Sequence, residues 1–309
     1  MTTPPELELR AYDFESLPVH EKLRQNQVFD RIRLKADWAH DHIDKLDRAI
    51  GDFLTKRHFR IRDEQDSETL EHTYRFIDAD SFPREIVGHV GDALHNLRSS
   101  LDHLVWRLVI ANGKKPCRKN SFPIFDPERS TPFSEITKET LKGVHPKAAE
   151  AFEKLEPFYD LLWLLHRLDI LDKHREILPL GPAHVGHDAL ASDKTKTEER
   201  WKEALPNSQF FPFQDVVVAA KEVRILKGGE VLRRVPHSDW EQDMGFHFDV
   251  WFDIPDAMGA KNVIDTLKEM ERVVFKIICD FKTKGHLGLA PITSPSSAAA
   301  AANSSAPHK

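Results

Sequence analysis

Apolar residues recur along this chain with two different periods. From Leu23 to Leu54, Val28, Ile32, Ala39, Ile43, Leu46, Ile50 and Phe53 return at helical spacing, while Asp30, Asp37, Asp41, Lys45 and Arg48 line the opposite side. Phe59-Arg60-Ile61-Arg62 and Tyr74-Arg75-Phe76-Ile77 instead alternate with period two on either side of a polar stretch, 63–68, and predict a short hairpin. A second long helix is predicted over 84–111, with Pro83 near its start and Asn112-Gly113 as its cap. A loop over 114–132 contains the basic run Lys114 to Lys119. Two short helices follow, at 133–143 and 146–156, the second with Pro146 in its first turn. A third long helix, 157–175, is apolar almost all round through Leu161, Leu162, Trp163, Leu164, Leu165, Leu168, Ile170 and Leu171, which predicts an interior position.

Beyond it, 186–208 loses periodicity and gains charge, as a surface loop or insertion does. Strands are predicted at 216–218, 222–226, 231–235 and 246–254, with Gly228-Gly229 as a turn, and a last amphipathic helix at 260–284. The expected fold class is α+β: a bundle of about four long helices with an antiparallel sheet formed by the N-terminal hairpin and strands in 213–254. The expected organisation is a flexible arm (1–17), a single domain (18–285, with the bundle at 18–180 and the strand region at 209–254) and a low-complexity tail (286–309) whose Ser, Ala and Pro content predicts disorder.

Composition narrows the function classes. The longest purely apolar run, Leu161 to Leu165, is about five residues against the roughly 20 that a spanning helix needs, and the acidic, Pro-containing arm does not read as a signal peptide. No membrane association and a cytoplasmic location are expected. Cys117 and Cys279 are too few for a disulfide framework and lack the spacing of a structural zinc site. A net charge of -6 argues against sequence-blind binding to nucleic acid. The 17 histidines stand out. Most read as incidental: His20, His40, His42, His58 and His72 on helix or hairpin surfaces, His184, His187, His237 and His308 in loops or the tail.

The informative stretch runs from Gly88 to Trp106. Opposite its apolar stripe, Asp92, His95, Asn96, Ser99, Asp102 and His103 share an arc of about 120°, with Arg98 at its edge. A solvated helix face is normally built from Glu and Lys, and both are absent here. Short polar side chains, two glycines and a Trp predict that another element packs over this face, so that its polar groups must pair with partners or with a ligand. The third helix supplies candidates in His166, Asp169 and Lys173, spaced i, i+3 and i+7, and ends in Asp172-Lys173-His174-Arg175. A buried structural network and a functional pocket are the two readings of this set. The basic end also suits the dipole of the helix that carries it.

Gly91-Asp92-Ala93-Leu94-His95-Asn96-Leu97-Arg98-Ser99-Ser100-Leu101-Asp102-His103-Leu104, followed by a hydrophobic helix ending Asp172-Lys173-His174-Arg175, resembles a widespread bacterial, largely actinobacterial, protein family without an assigned activity. The similarity spans roughly residues 20–180. Arg98 to His103 also resembles, more distantly, the Arg-x4-6-His motif of HEPN ribonucleases. That resemblance implies metal-independent RNA cleavage at a homodimer interface, with RNA as partner and no cofactor. His103 would then be the general acid or base, Arg98 the phosphate clamp, and Asp102 or Asp92 the group that orients a histidine such as His95. Asn96, Ser99, His166, Asp169, Asp172, Lys173, His174 and Arg175 would support them or bind substrate. The Arg/His spacing also occurs at Arg33/His40, Arg84/His89 and Arg167/His174. Ser99 stands where the HEPN family has Asn, Asp or His after the Arg, and the chain is richer in strand than a HEPN bundle.

Two alternatives belong to other classes. Asp92-x-x-His95 and His166-x-x-Asp169 each place two metal-ligand types on one helical face, although Arg98 and Lys173 nearby would oppose a cation, and no metal ligand is assigned on this basis. A helical scaffold or protein-interaction module whose polar network is purely structural is the other.

Overall fold

The stripe read from the sequence is what makes the second long helix. A computed structural model describes residues 19–56, 58–128, 131–174, 180–188, 217–241, 244–254 and 261–283. In it the chain is helical over Arg84–Ala111 (α2), and Ile86, Val90, Ala93, Leu94, Leu97, Leu101 and Leu104 are fully buried. Each such side chain removed from water favours the fold by about 1.5–3 kcal/mol. The helix stops where Gly113 adopts φ +68, a left-handed conformation that only glycine takes without a steric penalty. The Gly113 and Lys114 amides then donate back to the Ile110 and Val109 carbonyls.

The other helices are α1 (Val19–Leu54), α3 (Phe133–Thr140), α4 (Pro146–Glu153), α5 (Tyr159–His174) and α6 (Val263–Thr283). A short 3-10 turn, Glu156–Phe158, leads into α5. On α6, Val263, Leu267, Val274, Ile277, Ile278 and Phe281 form a buried stripe, and the Asn262 side chain accepts the Asp265 amide at its start. No helix among the described residues is long and apolar enough to cross a membrane.

The chain is mixed α+β with two antiparallel sheets, where the sequence predicts one. The hairpin strands β1 (Phe59–Gln65) and β2 (His72–Ala79) pair with each other, and β2 pairs on its other side with β5 (Val231–Val235). A separate sheet has the order β4 (Val217–Ala219), β3 (Leu180–Asp188), β6 (Phe246–Phe252), β7 (Lys261–Asn262). β3 is the main departure from expectation. Its sequence, Leu-Gly-Pro-Ala-His-Val-Gly-His-Asp, lacks alternation and carries two glycines and a proline, so it reads as loop. It forms because β6 and β4 supply ladders on both sides. The strand predicted at 222–226 is instead an irregular segment with one isolated bridge, Ala183 to Ile225.

The described residues fall into two compact units. One, built from the chain up to Asp37, Asn96–His166 and the chain from Arg272 onward, is helical, and Phe152 packs between Phe122 and Phe281 with ring centroids 5.4 and 4.8 Å away. The other, Trp38–His95 and Arg167–Glu271, contains both sheets together with its own stretches of α1, α2, α5 and α6. The arm, the tail, residues 189–216 and the predicted helix end at Arg175 lie outside the described residues.

Candidate functional site

The two helices expected to face each other do so in each unit. In the helical unit, Arg98 is 7% exposed and its guanidinium is engaged on three sides. Nη1 donates to Asp102 Oδ1 at 2.6 Å, Nη2 to the Phe122 carbonyl at 3.3 Å and Nε to His166 Nδ1 at 3.4 Å. The same Asp102 oxygen accepts the Phe122 amide at 2.8 Å. Arg98 and Asp102 therefore grip both backbone groups of Phe122 and fix the loop after α2 to the helix that precedes it. Phe122 itself is buried, so the clamp seats a core residue. Asn96 is buried and accepts from Lys35 Nζ at 3.2 Å, and Ser99 is half-buried. His103 is exposed, and partial desolvation, then the Lys35 charge, lowers its pKa below the ordinary imidazole value. These three bonds commit Arg98 to Asp102, the Phe122 carbonyl and His166.

In the other unit, Asp169 is 4% exposed and holds two partners, Lys173 Nζ at 2.6 Å and His95 Nδ1 at 3.3 Å. Asp172 lies one turn further along α5. Its carboxylate oxygens sit 2.6 and 2.7 Å from the point a Cβ on Gly91 would occupy, so the glycine leaves the space that the Asp172 carboxylate fills beside α2. Asp172 is exposed as a residue, and its carboxylate lies beside the Gly91 backbone. Desolvation raises its pKa, and the Asp169 and Asp92 carboxylates raise it further. The backbone of His174 ends α5, but its side chain lies outside the described residues, as does Arg175.

Asp92 is exposed, and His95 bonds Asp169. Asp92 lies beside His42, which reads as incidental in the sequence, and His89, singled out from the sequence only by its spacing from Arg84. His42 on α1 and His89 on α2 face each other with Nδ1 atoms 3.2 Å apart, and Asp92 Oδ2 lies 3.6 Å from His42 Nδ1. One ligand atom from each of His42, His89 and Asp92 falls within 4.8 Å of the others. Both histidines are half-buried. Desolvation, with smaller contributions from His42 and Lys45, lowers the pKa of His89, which favours the neutral imidazole that binds metal. The sequence signal was present in His89-x-x-Asp92, an H-x-x-D pair on one helical face. His42 had no such signal, because its partner lies on another helix.

Three more histidines depart from expectation. His72 is 5% exposed rather than on a hairpin surface, hydrogen-bonded to Asp63 at 2.9 Å and to His237 Nδ1 at 3.1 Å and stacked on Trp240. His184 and His187 lie on β3, not in a loop, and are both buried. No family model matches this chain, and no curated protein or solved structure shows significant similarity to it.

Proposed function

We propose that this is a cytosolic protein with a divalent transition-metal centre held by His42, His89 and Asp92. The observation that carries the reading is the spacing of the three donor groups. Ligand atoms about 2.0–2.1 Å from a tetrahedral ion stand roughly 3.3 Å apart, and the His42–His89 and His42–Asp92 separations are 3.2 and 3.6 Å. Two imidazole nitrogens and one carboxylate oxygen suit Zn(II), or Fe(II) in a facial arrangement. Three protein ligands leave a position for water or a substrate oxygen, the arrangement of reactive rather than purely structural sites. Within the same unit, Asp172 carries a raised pKa to which Asp92 contributes, and His95 is held by Asp169, so proton-transfer groups accompany the ligands. The bundle-like packing of α1, α2 and α5 belongs to this reading, because it brings ligands from two helices together.

The expectation of metal-independent RNA cleavage rests on the Arg98/His103 spacing. It receives less support, because Arg98 is occupied in the Phe122 clamp and a phosphate would have to displace it.

The test is metal binding. Chelator-treated protein titrated with Zn(II), with Co(II) as a spectroscopic substitute, should take up one equivalent and give the visible absorption of a low-symmetry Co(II) site. Single His42→Ala, His89→Ala and Asp92→Asn changes should each weaken binding by more than the roughly 10–100-fold that loss of an outer partner costs. Uptake unaffected by all three, or no stoichiometric uptake, would overturn the assignment. RNA cleavage that persists in chelator and disappears in Arg98→Ala and His103→Ala would replace it with the ribonuclease reading.

A further inference from the structure

A second site, independent of the helices, is built on β3. Residues three apart on a regular strand point to opposite faces, so His184 and His187 should be separated by the sheet. They are not. Against β6 the register runs His184 to Phe248, then Gly186 to His247 and His187 to Phe246, so Val185 is an extra residue in a β-bulge. Paired residues share a face, and Phe246 and Phe248 are two apart on β6. The bulge therefore puts both imidazoles on one side, ring centroids 6.1 Å apart, each against Phe246.

The other wall is also made by an irregularity. After β4 the chain continues along β3, with the Ala220 amide donating to the Val185 carbonyl and the Leu226 amide to the Pro182 carbonyl. Between those two bonds it spends six residues where β3 spends three, and the surplus, around Lys221 to Arg224, arches away. A cavity of about 400 Å³ opens beside this arch, lined by His184, His187, the arch and β5 residues 231–234. That volume lies in the range of small-molecule sites.

The lining is cationic. Lys221, Arg224, Arg233 and Arg234 are among its lining residues, against a single acid, Glu222, which disfavours a metal ion and favours an anion. His184 is 8% exposed, and its Nε2 is fully buried without a hydrogen-bond partner among the described residues. Such an atom in a native fold calls for a ligand or a bound water. Desolvation lowers the pKa of the ring and so favours its neutral form.

We propose that this cavity binds a small phosphorylated metabolite, with the Arg224 and Arg233 guanidinium groups on the phosphate oxygens and the His184 imidazole against the same ligand. Arginine forks match phosphate geometry two oxygens at a time, and the apolar part of the lining, including Leu226 and Val231, would cover the remainder of the molecule.

Inorganic pyrophosphate is the probe, titrated calorimetrically into chelator-treated full-length protein in a chloride buffer, so that the helical ligand set plays no part. Saturable one-site binding with a dissociation constant below about 1 mM is expected. Arg233→Met and Arg224→Met should each weaken it at least tenfold, while Lys138→Met on α3 leaves it unchanged. Arg224 and Lys221 are exposed, so Arg224→Met and Lys221→Met keep the test valid if Arg233→Met does not fold. The His184 imidazole resonance in a nitrogen-15 spectrum should shift with saturation. No saturable binding, equal affinity in the folded arginine variants, or binding without a His184 shift would each overturn the proposal.

Discussion

Asp172 shows how a single side chain can register the packing of two helices. With Gly91 beneath it and the Asp169 and Asp92 carboxylates nearby, its ionised form is disfavoured in the folded chain relative to the unfolded one. A raised folded pKa means that the fold pays for ionisation. This cost is fully present above the folded value, and it disappears below the unfolded value of about 3.8. Asp172→Asn should therefore melt at a higher temperature than the parent at pH 7 in metal-free buffer, with the difference closing as the pH approaches 4. A variant that melts lower at pH 7 would show that the carboxylate is held by favourable contacts instead. The candidate residues on α2 were legible because Glu and Lys are missing from a helix face where they are expected. His42 was not, since on its own helix it lies among Asp41, Asp44 and Lys45 and looks like any solvated residue.

Among the elements, α2 was the most legible and β3 the least. The α2 stripe, Ile86 to Leu104, repeats a local rule over about five turns, and local rules can be read one residue at a time. The same helix also fixes the loop that follows it, which periodicity does not reveal. Arg98→Met should cost about 3 kcal/mol or more, because it strands Asp102 and the Phe122 carbonyl, while Asp102→Asn should cost about 1–2 kcal/mol. Chemical denaturation measures both, and amide exchange at Phe122 should accelerate in each. Equal stability in the two variants and the parent would leave the loop anchored by Phe122 burial alone. β3 was missed for the opposite reason: its glycines, proline and bulge remove the alternation that marks a strand, and its stability comes from neighbours distant in sequence.

For the whole molecule, the histidine count retains one global consequence. With 17 imidazoles and a formal charge of -6, the chain passes through neutrality near pH 6.3. Solubility should fall to a minimum close to that pH and recover on both sides, as light scattering against pH would register; a minimum well below it would mean that many histidines stay neutral in the fold. The sequence alone determined the mixed α+β class and the apolar faces of the long helices, because each follows from a periodicity within one segment. It also marked α2 and α5 as carrying polar groups in need of partners. Only the tertiary structure decided which partners those are. Arg98 went to a backbone clamp, Asp92 to histidines on its own and another helix, and His184 and His187 came together through a one-residue bulge. Contacts of this kind depend on how close helices approach and on strand register, quantities set by packing among distant segments rather than by the residues on either side.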